Sequence, residues 1–128
     1  MKTILSLLLL SSFVLPTTLS AAAEAPQYYE IRSYVLGDNG DAEAIHRYLS
    51  NAFLPAMKRQ EIGPIGVFSN SDQDTSGSDR VVVVIPFESA DAIQTSKNRL
   101  VEDTAYQTAA KTYLERGPKD SPYQRIES

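Results

Sequence analysis

Glu30 and Arg32 stand two residues apart, flanked by Tyr28 and Tyr34, in the stretch Gln27-Tyr28-Tyr29-Glu30-Ile31-Arg32-Ser33-Tyr34-Val35. At the two-residue period of a strand these four side chains project to one side, and Tyr29, Ile31, Ser33 and Val35 to the other. A guanidinium can hold an anionic or carbonyl group while a carboxylate or phenol beside it moves a proton, so this face has the parts of a polar binding cavity. A structural ion pair bridging strands or subunits uses the same residue types and is the commoner origin of such clusters. On either reading an acid, a base and two phenols are costly to bury unless they pair with one another or line a wet space. The expectation is a central strand with helices against its Ile31 side and a concave space on its Arg32 side.

The other chemistry-bearing residues are sparse. His46, the only histidine, falls at the edge of a helical apolar face near Phe53 and Met57. As a haem or metal ligand it would need a cavity on the helix side and a second His or Cys, so a packed or half-exposed structural histidine is preferred. Asp72, Asp74, Ser76 and Gly77 match the first, third, fifth and sixth places of a calcium loop, but Val83 holds the twelfth place, where a bidentate Glu is required. No helices are expected to flank that loop, which reads as a solvated acidic hairpin. Ser33, Ser69 and Ser89 have no neighbouring base pattern, and no glycine-rich phosphate loop occurs. Cysteine is absent, which removes disulfides, thiolate metal sites, cysteine nucleophiles and lipid attachment through a cysteine.

The elements that must position these residues follow in order. Gly37-Asp38-Asn39-Gly40 is a turn signal that ends the first strand, and Asp41 is a good N-cap. From Ala42 to about Gln60, Ile45, Leu49, Ala52, Phe53 and Ala56 recur at three- and four-residue spacing, one face of a helix. Lys58 and Arg59 suit its last turn, Gly63-Pro64 marks its stop, and Pro55 should bend it by removing the bond to the Asn51 carbonyl. Ile65–Ser69 and Arg80–Pro86 read as two strands joined by a polar hairpin loop over 70–79. The run Val81-Val82-Val83-Val84-Ile85 is apolar on both faces, as in a strand inside a sheet covered on both sides. Ser89 caps a short helical segment from Ala90 to about Lys97. A longer one follows from Val101 to Arg116, with Tyr106 and Tyr113 on one core stripe and Gly117-Pro118 as its stop. Pro122–Glu127 reads as a fourth strand.

The first 23 residues read as an export leader: Lys2, an apolar run from Ile4 to Leu15, Pro16, and the small residues Ala21-Ala22-Ala23. The run is short of the ~20 residues a permanent membrane helix needs. Cleavage after Ala23 leaves a single domain, 24–128, in the periplasm or outside the cell. The chain has 128 residues, 42% of them hydrophobic, enough for one compact core. Its formal charge of −4, near −5 once Lys2 is removed, argues against a duplex nucleic-acid binder. No membrane association is expected after leader removal.

The order βαββαβ gives a split βαβ, an α+β ferredoxin-like fold whose four-stranded antiparallel sheet carries its helices on one face. The valine run and the Phe68 strand leave the other face apolar, a patch too large for a soluble monomer, so two copies should pack sheet to sheet. Three stretches together resemble the NIPSNAP family. They are Tyr29-Glu30-Ile31-Arg32-Ser33-Tyr34, Leu54-Pro55-Ala56-Met57-Lys58-Arg59 leading into Gly63-Pro64-Ile65-Gly66-Val67-Phe68, and Tyr123-Gln124-Arg125-Ile126-Glu127-Ser128. The resemblance covers nearly all of the chain beyond the leader and includes Pro55. It implies the dimeric α/β-barrel superfamily, in which two ferredoxin-like sheets enclose a shared cavity. That superfamily includes cofactor-independent monooxygenases, haem-degrading proteins and small-ring isomerases, whereas the NIPSNAP branch implies no particular reaction. Longer relatives continue past the equivalent of Arg125-Ile126-Glu127-Ser128 into a second, similar domain, so this chain reads as a single-domain member or a truncated reading frame.

Two functions follow as expectations. One is a homodimeric small-molecule-binding or interaction module, with Tyr28, Glu30, Arg32, Tyr34 and Phe68 as candidate ligand-binding residues and no cofactor or metal. The alternative is a cofactor-independent monooxygenase or isomerase acting on an aromatic or quinone-like compound in the barrel, which rests on superfamily analogy.

Overall fold

The computed structural model describes residues 28–71, 73–74 and 79–128. The expected leader and three positions of the acidic loop pattern, Asp72, Ser76 and Gly77, lie outside the described residues. The elements are β1 (Tyr28–Val35), α1 (Ala42–Tyr48), a π-helical stretch (Leu49–Phe53), α2 (Leu54–Arg59), β2 (Gly66–Ser69), β3 (Arg80–Phe87), α3 (Ala90–Glu102), α4 (Thr104–Leu114) and β4 (Arg125–Glu127). They form the expected four-stranded sheet, in the order β2-β3-β1-β4 with every neighbouring pair antiparallel. The two inner strands are the two the sequence marks most strongly. No helix among the described residues is long and apolar enough to cross a membrane.

The amphipathic stripe of the first helical region forms the core as its spacing predicts. Ile45, Leu49, Ala52, Phe53, Ala56 and Met57 are all essentially inaccessible. Pro55 acts one step earlier than expected. Leu54 donates to the carbonyl of Leu49, five residues back, so the ladder has widened to π spacing before it reaches the residue that has no N–H. The helix also stops before Gly63-Pro64. Glu61 adopts φ 60°, its N–H bonds the Lys58 carbonyl at 3.0 Å, and the Ile62 N–H bonds that of Met57 at 3.0 Å. Those paired backbone bonds close the last turn in the manner usually reserved for glycine.

The second helical region breaks at Asp103 rather than near Lys97–Val101. Ser89 caps α3 as predicted, accepting from the Ala92 N–H at 3.2 Å. Asp103 ends α3 and caps α4 by accepting from the Tyr106 N–H at 2.9 Å. Its other oxygen receives Nε and Nη2 of Arg59 at 3.0 and 2.6 Å, tying the helix junction to the end of α2. The fourth strand is shorter than predicted. Pro122 is drawn instead to the turn before α1, its carbonyl accepting from the Asp41 N–H at 2.9 Å.

Which face of β1 meets the helices is the reverse of the sequence expectation. Glu30 and Tyr34 are buried and Arg32 nearly so, while Ile31 stays 59% exposed. The register explains this, because Glu30, Arg32 and Tyr34 stand opposite Ile85, Val83 and Val81, the fully buried residues of β3. Paired residues of antiparallel strands share a face, so the helix-covered side of β3 fixes that of β1. The bare face carries Ile31, Val82, Val84 and Phe68.

Asp103 gives this fold a predictable response to acid. The Tyr106 backbone N–H, and then the Arg59 guanidinium, hold its carboxyl below its ordinary value of 3.8. A depressed carboxylate contributes stability above its unfolded-state pKa and loses it as pH falls through the folded value. Asp103→Asn should therefore lower the melting temperature at neutral pH, and the gap to wild type should close below the ordinary aspartate range. Thermal unfolding of both proteins from neutral pH to strong acid checks this.

Candidate functional site

Beneath the helices, Arg32 donates through Nε and Nη2 to one Glu30 oxygen, at 3.0 and 2.8 Å. Its guanidinium carbon lies 5.2 Å from the centroid of the Phe53 ring, within cation–π range. Burial works against the charge on Arg32. The Tyr34 phenol and the Glu30 carboxylate outweigh it, so the guanidinium stays charged at any moderate pH.

Tyr34 opens onto a cluster of phenols contributed by three other segments. Its ring meets Tyr123 edge-on at 5.6 Å, Tyr113 stacks on Tyr48 at 3.8 Å, and the Tyr48 and Tyr106 hydroxyls share a 2.9 Å hydrogen bond. Burial pushes the phenols of Tyr34, Tyr48 and Tyr113 above their usual range. They are therefore neutral, and the cluster packs as aromatic surface with its hydroxyls paired. The core stripe expected for Tyr106 and Tyr113 is realised here, with Tyr106 buried and Tyr113 half-buried.

The five residues singled out from the sequence do not share one surface. Tyr28, Glu30, Arg32 and Tyr34 project to the helix side of the sheet, and Tyr28, at the strand end, is exposed. Phe68 lies on the opposite face and is 58% exposed. A concavity joining Arg32 to Phe68 would have to pass through the sheet.

The fold also brings together groups that sequence spacing does not reveal. The exposed His46 places Nε2 3.0 Å from the Ser69 hydroxyl, so Ser69 does have a base beside it, from 23 residues away. No group of three or more metal-ligating side chains occurs among the described residues. A cleft of about 720 Å³ opens between the chain leaving α2, the end of β3 and the first turns of α3. Its polar wall includes Gln60, Ser96 and Arg99, and its apolar wall Ile62, Phe87 and Ala92. None of these stood out in the sequence, because they come from three segments and match no motif.

Residues 29–116 match the NIPSNAP family model. The chain belongs to the NIPSNAP family. Two crystal structures of protein Atu4242 from Agrobacterium tumefaciens, one of them described as a NIPSNAP family protein with unknown function, share its fold. They superpose with TM-scores of 0.58 and 0.56 at 21% and 22% identity, covering 82% and 77% of this chain and 86% of theirs. No curated protein matches the chain. The ferredoxin-like α+β architecture expected from the NIPSNAP resemblance is thus the architecture observed.

If Glu30 and Arg32 serve as an internal pair, removing one should cost more than removing both. Glu30→Gln leaves a buried guanidinium without its carboxylate, a loss of about 3–5 kcal/mol. Adding Arg32→Met removes the stranded charge, so the double variant should be no less stable than the worse single variant. Urea unfolding of the four proteins measures this coupling directly, and additive losses would show that the pair does not act as a unit.

Proposed function

We propose that this NIPSNAP protein is an exported homodimeric module that binds a small molecule rather than transforming it. The bare sheet face carries the dimer reading. Ile31 and Phe68 are more than half exposed there beside Val82 and Val84, an apolar strip that water covers poorly. Its rim bears both signs of charge, with Arg125 Nε 2.7 Å from Glu127 and Arg80 3.8 Å from the same carboxylate. A two-fold partner can match such a rim without like-charge contact. Sheets stacked face to face at ~10 Å let the two apolar strips interdigitate.

Binding is preferred to catalysis because Glu30 and Arg32 spend their charges on each other under the Phe53 ring. Neither aims at an open space, as a general base or an anion-holding arginine must. The roomy space lies in the cleft beside α3, which no nucleophile–base pair lines. The leader composition supports export.

Phe68→Asp should convert the dimer to monomers or aggregate by placing a carboxylate in an apolar contact. Light scattering on the two proteins tests this, and an unchanged dimer mass for the variant would refute the sheet-to-sheet arrangement. Protein recovered from outside the cytoplasm should begin near Glu24. N-terminal sequencing that finds Lys2 retained on that material would rule out a cleaved leader.

A further inference from the structure

Seven tyrosines stand in a chain that has neither cysteine nor tryptophan. Thiols and indoles are the other side chains that give up a single electron readily, and without them the phenols are the easiest groups here to oxidise. A tyrosyl radical is consumed by joining a second one, carbon to carbon. Which tyrosines can join is a question of geometry.

Tyr48, the last residue of α1, and Tyr113, near the end of α4, stack with ring centroids 3.8 Å apart and planes 8° from parallel. Aromatic pairs ordinarily sit at ~4.5–7 Å, so these two faces are in full van der Waals contact. The Tyr34–Tyr123, Tyr48–Tyr106 and Tyr113–Tyr123 rings lie 5.6 to 6.4 Å apart and are tilted by 41° to 64°. The unpaired spin of a phenoxyl is carried partly on the ring carbons beside the oxygen-bearing one, in orbitals normal to the ring. Stacked rings therefore present their reactive lobes to each other, and tilted rings do not. Access is graded along the stack, since Tyr113 is half-buried and Tyr48 is 8% exposed. An oxidant meets Tyr113 first, and Tyr48 yields its electron across the contact. The Tyr106 hydroxyl, 2.9 Å from that of Tyr48, can donate to the Tyr48 oxygen once its proton has gone.

We propose that Tyr48 and Tyr113 are an oxidative modification site, joined as a dityrosine by one-electron oxidants. Two equivalents of oxidant take one electron from each ring, and a carbon–carbon bond forms between positions next to the two hydroxyls. The hydrogens displaced from those positions leave as two protons to water, and both hydroxyls are kept. The bond fastens α1 to α4 in a chain that cannot form a disulfide. It depends neither on the cleft beside α3 nor on dimerisation.

The test oxidises the dilute protein with a photogenerated ruthenium(III) tris-bipyridyl complex, with persulfate as the terminal electron acceptor. Intact mass, dityrosine fluorescence and peptide mapping follow the products. The main crosslinked product should be a monomer lighter by two hydrogens, whose digest joins the peptides of Tyr48 and Tyr113. Tyr113→Phe keeps the ring and should lose that crosslink, whereas Tyr28→Phe with Tyr29→Phe, which removes two exposed tyrosines, should retain it. In concentrated urea the preference for this pair should vanish, because the stack belongs to the fold. A main crosslink between any other two tyrosines would overturn the site, as would undiminished intramolecular dityrosine in Tyr113→Phe. The same preference in urea would overturn the stack as its cause.

Discussion

The architecture depends on an ion pair made within one strand. Because Arg32 closes on Glu30 from two residues away, at 2.8 and 3.0 Å, the polar face of β1 carries its own neutralising pair. It can then go under the helices, where Phe53 covers the guanidinium and Tyr34 begins the aromatic cluster. Once that face is inside, strand alternation puts Ile31 outside, and antiparallel pairing puts Val82, Val84 and Phe68 beside it. The apolar bare face and the polar interior are thus one choice seen from two sides.

The interior this creates differs from an aliphatic core. Tyr34, Tyr48, Tyr106, Tyr113 and Tyr123 pack ring against ring and bring hydroxyls as well, those of Tyr48 and Tyr106 bonding each other. Burial raises the pKa of three of them, so they stay neutral and need donors and acceptors but no counter-charge. The π-helical stretch between Tyr48 and Pro55 belongs to the same packing. It carries Leu49, Ala52 and Phe53 into the core while absorbing the proline that would otherwise interrupt the ladder.

Much of this was legible from residue order. The valine run identifies β3, the spacing from Ile45 to Ala56 identifies the first helical region, Ser89 identifies a cap, and the order of elements gives the sheet. The face of β1 was not, because a rule that charges avoid burial treats Glu30 and Arg32 separately, whereas their i, i+2 spacing on a strand lets them neutralise each other. Asp103 is not marked as a helix boundary by residue type alone, because its cap on the Tyr106 N–H is one any aspartate could offer, and the Arg59 contact that ties the junction down comes from 44 residues away. The α3 cleft and the His46–Ser69 contact share that cause, since chain separation hides groups that only the fold juxtaposes.

Membership of the NIPSNAP family and the shared fold of Atu4242 fix the frame without assigning an activity. Within that frame, the structure separates an apolar sheet face from a cleft beside α3 with polar and apolar walls. The inward turn of the Glu30–Arg32 face leaves an apolar face, which we propose a second copy covers. Sedimentation equilibrium of residues 24–128 over a wide concentration range tests it most directly. A single species of twice the chain mass is the predicted result, and a chain that stays monomeric and soluble at every concentration would contradict it.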